Sequence, residues 1–173
     1  MITAPRPALA DHPVSLREVT PGDADRLYRW RFDPRNRPFF VSTGEVPFEQ
    51  HLNVLAAYFD PQNTDAWFVV EMNGEPVGAI ALYALNPAEG TAEWGRFVLD
   101  PAARGRGLAG RALTLLLAYA RHIGLRQVSC EVRADNAPAL NLYRSLGFAD
   151  SGERVLPDGR RFITMIQSVV HSP

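Results

Sequence analysis

The stretch VLDPAARGRGLAGRAL, Val98–Leu113, decides the fold. An apolar strand end breaks at Asp100-Pro101, passes through Gly105, Gly107 and the small Ala109 and Gly110, and continues as a helical pattern that Gly124 stops after Ile123. Glycines at such a turn let a ligand come close to the main chain. Unpaired N–H groups and the positive end of the helix dipole then converge on one point, an anion site suited to a pyrophosphate. Arg104, Arg106 and Arg111 stand nearby to add charge, and Leu108 lies in the first turn of a helix expected from about Gly107 to Ile123. Three other readings of the segment compete. A P-loop needs Gly-Lys-Ser/Thr at its end, and the chain has no lysine. Gly105, Gly107 and Gly110 have the GxGxxG spacing of a dinucleotide site, but no parallel βαβ unit opens the chain and no ribose-binding acid follows about 20 residues on. A glycine-rich connector that binds nothing is the plainest alternative.

Outward from this turn, the strand AEWGRFVLD (Ala92–Asp100) precedes it, and the strand RQVSCEVR (Arg126–Arg133) follows the helix. Further upstream, DAWFVVEM and PVGAIALYAL are strand runs joined by Asn73-Gly74, a strong hairpin turn signal. A first strand is expected at Val14–Val19. A helix then starts at Thr20-Pro21-Gly22-Asp23, carries Leu27 and Trp30 inward and ends near Asp33-Pro34; a second runs from Pro47 to Tyr58. Downstream, NAPALNLYRSLGF predicts a helix over Asn136–Leu146, with Asn136, Ala139 and Tyr143 on one stripe. Gly147-Phe148 leads into the next strand, and Asp158-Gly159 turns into a closing strand, RRFITMIQSV. The ends, about ten residues at the N-terminus and a few at the C-terminus, read as loose. The fold class is α/β (α+β): a mixed, mostly antiparallel sheet flanked by helices, in one domain spanning 1–173 with its core over about 14–170.

Two motifs on these elements resemble those of the GNAT acetyltransferase superfamily. Arg104, Gly107 and Ala109 match its coenzyme A motif, Gln/Arg-x-x-Gly-x-Gly/Ala. Asn136, Ala139, Tyr143, Gly147 and Phe148 match Asn-x-x-Ala-x-x-x-Tyr-x-x-x-Gly-Phe. The resemblance implies an acetyl-CoA-dependent N-acetyltransferase acting on a primary amine, with two neighbouring strands splayed to admit the cofactor. It places the pyrophosphate on the amides of Gly105–Gly110 and the pantetheine arm along Phe97, Val98 and Leu99 beside Asn136. Tyr143 would protonate the departing thiolate. On their own, Asn136 reads equally well as an N-cap and Tyr143 as a core tyrosine.

The attacking amine must lose a proton, and two strand glutamates are candidates for the base. Glu93 matches the base of the histone acetyltransferase branch; Glu131, in SCEVRADN, resembles the proton acceptor of ribosomal-protein alanine acetyltransferases. Each also reads as a strand carboxylate paired with an arginine, Arg96 or Arg133. Glu93 is preferred, because Glu-Val-Arg before the asparagine recurs in relatives of varied chemistry.

The acceptor is expected to meet RLYRWRFDPRNRPFF, where arginines alternate with aromatic rings. Arg31 or Arg35 is expected to reach an anionic group of the substrate, with Trp30 in the core. The Trp-Arg-x-Asp-Pro-x-x-Arg pattern with the later His51 and Leu52 resembles acetyltransferases of nucleotide-linked amino sugars, and more loosely those of ribosomal-protein N-termini. A solvated helix face with rings packed beneath it is the alternative. A coenzyme A-binding sensor without turnover is the alternative to an enzyme.

Composition narrows the field. All 18 basic residues are arginine against 19 acids, for a net charge of −1, so no global field favours nucleic acid or an anionic membrane. No apolar run reaches the length of a membrane span or a signal-peptide core, so a cytoplasmic location is expected. The one cysteine, Cys130, excludes an internal disulfide and reads as a strand residue facing the core. His12, His51, His122 and His171 lack metal-ligand spacing, so no metal is expected. The partner is expected to be a small amine or a protein N-terminus, with the closing strand available to pair across a homodimer.

Overall fold

A computed structural model describes residues 9–170. Eight strands form one sheet: β1 (Leu9–Asp11), β2 (Val14–Glu18), β3 (Ala66–Met72), β4 (Glu75–Asn86), β5 (Thr91–Leu99), β6 (Gln127–Arg133), β7 (Ala149–Val155) and β8 (Arg161–Ser168). Four helices accompany them: α1 (Ala24–Phe32), α2 (Phe48–Tyr58), α3 (Leu108–His122) and α4 (Ala137–Ser145). The strand order is β1-β2-β3-β4-β5-β6-β8-β7, and every neighbouring pair is antiparallel except β5 and β6. That parallel pair is joined by α3 in a strand–helix–strand crossover, and α4 makes a second between β6 and β7, which run parallel on either side of β8.

The central strands are buried on both faces, which explains their near-continuous apolar runs. Ala66, Phe68 and Val70 of β3 face α3 and α4, together with Leu113, Leu116 and Leu140. Trp67 and Val69 face the other way, against Leu27, Trp30 and Leu55 of α1 and α2. The β3–β4 turn has φ of 53° at Asn73 and 81° at Gly74, as a two-residue hairpin of this sequence requires. At the head of α1, the Asp23 carboxylate accepts from the Thr20 amide and hydroxyl, both at 2.9 Å, and pairs with Arg17 at 2.8 Å.

Two expectations need correction. Leu9–Asp11 is not a loose end: it pairs with β2, Leu9 opposite Leu16 and Asp11 opposite Val14. A three-residue strand is too short to show a period, so only its partner reveals it. Residues 1–8 and 171–173 of the expected loose ends, His171 among them, lie outside the described residues. The closing strand β8 is not an edge either, since β6 fills one side and β7 the other. The strand free to pair outward on that side is β7, whose residues are all exposed.

The decisive irregularity lies in β5. Ala79 pairs with Val98 but Ala81 pairs with Gly95, so β5 carries one extra residue here, a β-bulge. Arg96 within it has φ of 46°, unusual for a residue with a side chain. Pairing between β5 and β6 covers only Thr91, Ala92 and Glu93. Beyond Glu93 and Ser129 the two strands diverge, and the bulge bends β5 away at this point.

Candidate active site

A cleft of about 590 Å³ opens where β5 and β6 part. The turn before α3 forms one end. Asp100 Oδ1 accepts from the Ala102 amide at 2.9 Å and fixes the single turn Pro101–Ala103. The chain then passes through Gly105 (φ 78°) and Gly107 (φ 70°), a backbone that favours glycine. Arg111 N donates to Gly107 O at 3.4 Å as the first bond of α3, so the amides of Leu108, Ala109 and Gly110 precede the helical ladder and stay available. A side chain at Gly105 or Gly107 would meet nothing within 4 Å, whereas one at Gly110 would come within 3.3 Å of Leu142 Cδ1. The first two glycines therefore face open space, and the third lets α4 pack close to α3.

Most of the expected cofactor residues line this cleft: Phe97, Val98, Leu99, Arg104, Gly105, Gly107, Leu108, Ala109, Asn136 and Tyr143. Arg106 and Gly110 do not; Arg106 points toward Met72 Sδ at 3.9 Å. Arg111 also turns away, toward His12 O at 3.5 Å. Arg104 reaches across to Asn36 Oδ1 and to Arg35 O at 3.2 Å. Asn136 caps α4 by accepting from the Ala139 amide at 3.3 Å, so its capping role and its place on the cleft wall coexist.

Tyr143 of α4 and Glu93 of β5 both line the cleft. Tyr143 is buried, its ring edge-on to Trp94 at 4.9 Å. Burial, with Cys130 nearby, pushes its phenol well above the ordinary value, and among the described residues no hydrogen bond holds the hydroxyl. Glu93 is exposed at the last β5–β6 pair, opposite Ser129 on one side and Tyr83 on the other. It makes no ion pair among the described residues. Glu131 also lines the cleft, but Arg154 holds it, Nε to Oε1 at 2.9 Å. The arginines expected to neutralise these glutamates are engaged elsewhere: Arg96 pairs with Asp65 at 3.0 Å and Arg133 with Asp135 at 2.5 Å. Cys130 is buried on the same wall, and burial pushes its thiol up to about 12, so it stays protonated. Among the described residues no cluster of three or more His, Cys, Asp or Glu side chains has the makings of a metal site. None of the described helices is long and apolar enough to cross a membrane.

A second cavity of about 380 Å³ adjoins the cleft between α1, α2 and the sheet, and the two share Phe40, Val41, Tyr83, Arg96 and Val98. Arg31 lines it, with its guanidinium 3.8 Å above the Phe40 ring. Arg35 does not: its fork is held by Asp33 at 2.8 Å on the exposed surface. Trp30 is core, donating to Asp100 Oδ2 at 3.3 Å. His51 is buried with Nε2 3.0 Å from Ala24 O, and burial lowers its affinity for a second proton.

The segment between α1 and α2 is tied across the opening by arginines from distant elements. Arg104, Arg133 and Arg160 donate to the carbonyls of Arg35, Pro38 and Phe40. Buried Asn36 bonds to Trp30 O at 2.8 Å and Leu99 O at 3.1 Å. Sequence reasoning missed Asn36, Tyr83 and the Arg96–Asp65 pair. Only the glycine at 95 hints at Tyr83, since a Cβ there would fall 2.8 Å from the tyrosine hydroxyl.

The chain is similar to known proteins in sequence and in fold. A mycothiol acetyltransferase of Amycolatopsis mediterranei is 38% identical over 153 residues, covering 83% of this chain and 48% of the relative. The spermidine N(1)-acetyltransferase of Escherichia coli K12 is 36% identical over 113 residues, covering 63% of this chain and 60% of that one. The chain thus spans about half of these relatives' length. The fold matches that of Vibrio cholerae spermidine N-acetyltransferase, solved with CoA and spermine, at a TM-score of 0.82 and 20% identity, covering 91% of this chain and 96% of that one. Residues 20–148 match the model of the acetyltransferase (GNAT) family, and the chain belongs to that family.

Proposed function

We propose that this chain is an N-acetyltransferase that moves an acetyl group from acetyl-CoA directly to a primary amine. One observation carries the reading: a single open cleft joins the free first-turn amides of α3, the unbonded hydroxyl of Tyr143 and the unpaired carboxylate of Glu93. The residues present fit coenzyme A. The amides of Leu108–Gly110 and the open approach at Gly105 and Gly107 suit a pyrophosphate. The run Phe97–Leu99, unpaired on its β6 side, offers main-chain groups to an extended arm beside Asn136 and Ala139.

Glu93 takes the proton from the ammonium, directly or through water, so that the nitrogen lone pair can form the new C–N bond. As the C–S bond breaks, Tyr143 donates its proton to the leaving sulfur, and the nitrogen sheds its second proton through water to restore the phenol; burial keeps the phenol protonated until the charge on sulfur develops. Glu131 is the less available candidate, because Arg154 occupies its carboxylate.

The acceptor is proposed to be a small anionic amine, and the sequence pattern names nucleotide-linked amino sugars as one such class. Spermidine, which two of the relatives act on by name, carries several positive charges; Arg31 and Arg96 beside the acceptor end of the cleft oppose it. The test is a thermal-shift measurement with acetyl-CoA followed by a thiol-release assay over a panel of amines. A rise in Tm with turnover of an amine is expected. A rise in Tm without turnover of any amine points to a sensor, and rapid turnover of spermidine removes the anionic acceptor.

A further inference from the structure

We propose that the second cavity seats the far end of the acceptor, and that it takes a compact amine whose carboxylate lies across an apolar body from the amino group. The inference rests on the acetyltransferase reading, because it assumes that the amine projects from this cavity into the cleft.

The walls set the chemistry. Leu27, Phe32, Val54, Trp67 and Ala79 give the cavity an apolar lining, and no Asp or Glu lines it. Its two guanidinium groups differ in kind. Arg96 is already matched: Asp65 holds it at 3.0 Å, and it lies 5.2 Å from the Trp67 ring centre and 5.1 Å from that of Tyr83. Arg31 is not. Its Nη2 donates to Ser42 O at 2.5 Å, but Nη1 is buried with no partner, and no ion pair engages the group among the described residues. A half-buried cation without a counter-charge is unfavourable, and both burial and the nearby Arg37 weaken its hold on the proton. The Phe40 ring, 3.8 Å from the guanidinium carbon, fixes the plane of the fork. A ligand carboxylate in the cavity beside the guanidinium would supply the missing counter-charge.

Size and connection complete the class. At about 380 Å³ the cavity sits near the lower end of ligand pockets, which run from roughly 300 to 1,000 Å³. It suits an aromatic or branched aliphatic body better than a nucleoside diphosphate. Tyr83 borders both the cavity and the cleft, and it lies across the β4–β5 pair from Glu93. A molecule anchored at Arg31 and running past Tyr83 therefore points toward the base. Its anion and its amine sit at opposite ends, with the apolar part between the rings of Phe40 and Trp67.

Matched acceptors test this on the unmodified protein by steady-state thiol release. The set is 4-(aminomethyl)benzoate, its carboxamide, benzylamine, spermidine and a nucleotide-linked amino sugar. The carboxylate compound should exceed its carboxamide in kcat/KM by about tenfold or more, as expected for a desolvated ion pair. Arg31→Met should erase that ratio while leaving the KM for acetyl-CoA unchanged. Arg35→Met, which alters an exposed arginine outside the cavity, should keep it. Filling the cavity from its rim with Val54→Trp should depress use of the carboxylate compound and leave the Tm rise with acetyl-CoA intact, a second route should Arg31→Met fold poorly. Equal use of carboxylate and carboxamide overturns the inference, as does a preference for spermidine or the nucleotide-linked sugar. If acetyl-CoA raises the Tm and some amine is turned over, such a result leaves the acetyltransferase reading standing. If acetyl-CoA neither binds nor is consumed, that reading falls and takes the inference with it.

Discussion

On the proposed donor side of the cleft the groups offered to a ligand are main-chain amides, set by Gly105, Gly107 and the start of α3 within one short stretch of chain. On the proposed acceptor side they are side chains, Arg31, Phe40, Trp67, Tyr83 and Arg96, drawn from α1, the segment after it, and three strands. The donor half is thus built from local backbone geometry and the acceptor half from contacts distant in sequence. A local device tolerates wide variation elsewhere in the chain, whereas a pocket of side chains changes specificity with each substitution. The two halves should fail differently when perturbed.

The largest effect is expected at the donor turn. Gly107 sits at φ 70° in front of an open space, so a valine there is strained by its backbone and also intrudes on the ligand. Gly107→Val should abolish the rise in Tm that acetyl-CoA produces, since a ligand that no longer binds the native state no longer stabilises it. An undiminished shift, measured against the variant's own baseline, would remove the turn from the binding site.

Next comes the acid at the junction of the halves. Tyr143→Phe should lower kcat by roughly 10²-fold while the Tm rise with acetyl-CoA persists. Loss of both would mean that the ring is needed for the cleft rather than the hydroxyl for the chemistry.

Glu93→Gln should cut turnover by about tenfold or more, most strongly at low pH, where nearly all of the amine is protonated and a base matters most. Glu131→Gln should do less, because its partner is Arg154. A pH–rate profile for each variant separates them. The reverse order would move the base to β6, and no effect from either would assign the proton transfer to water.

The smallest effect concerns the frame of the acceptor half. Burial alone would push the Asp23 carboxyl up, but Arg17 and Thr20 overcome it and hold the pKa at about 2, below the ordinary 3.8. A carboxyl depressed in the folded state adds stability above its ordinary pKa, and that stability is lost as pH falls through the folded value. Thermal midpoints should therefore decline between about pH 4 and pH 2, with Asp23→Asn less stable at neutral pH and flatter over that window. A variant with the same acid profile as the parent would show that the carboxylate does not brace α1 against β2.

The contrast between the halves also explains what was legible beforehand. Asn73-Gly74, the Thr20–Asp23 helix start and the Asn136 cap act over two to four residues, so their residue types identify them. Trp30 and Leu27 followed from helical spacing, and the structure buries both. The ion pairs did not follow. Arg96 and Arg133 were assigned to the nearest glutamates in sequence, yet Arg96 reaches Asp65 on the far side of the β4–β5 pair and Glu131 is taken by Arg154 of β7. Among the arginines around α1, the pattern could not say that Asp33 holds Arg35 outward while Arg31 turns in over Phe40.

By itself, the sequence determined the strand–turn–helix proposed to carry the anion site, the helix with Asn136 and Tyr143, and through them the family. These features depend on φ preferences, capping and periodicity, which are properties of short segments. Only the tertiary structure decided that β5 bulges at Arg96 and leaves β6 after Glu93, that Tyr83 stands between two cavities, and that Arg31 keeps one buried nitrogen without a partner. Those outcomes depend on which surfaces meet across the sheet and on which charges find each other first, and a chain read one segment at a time contains neither.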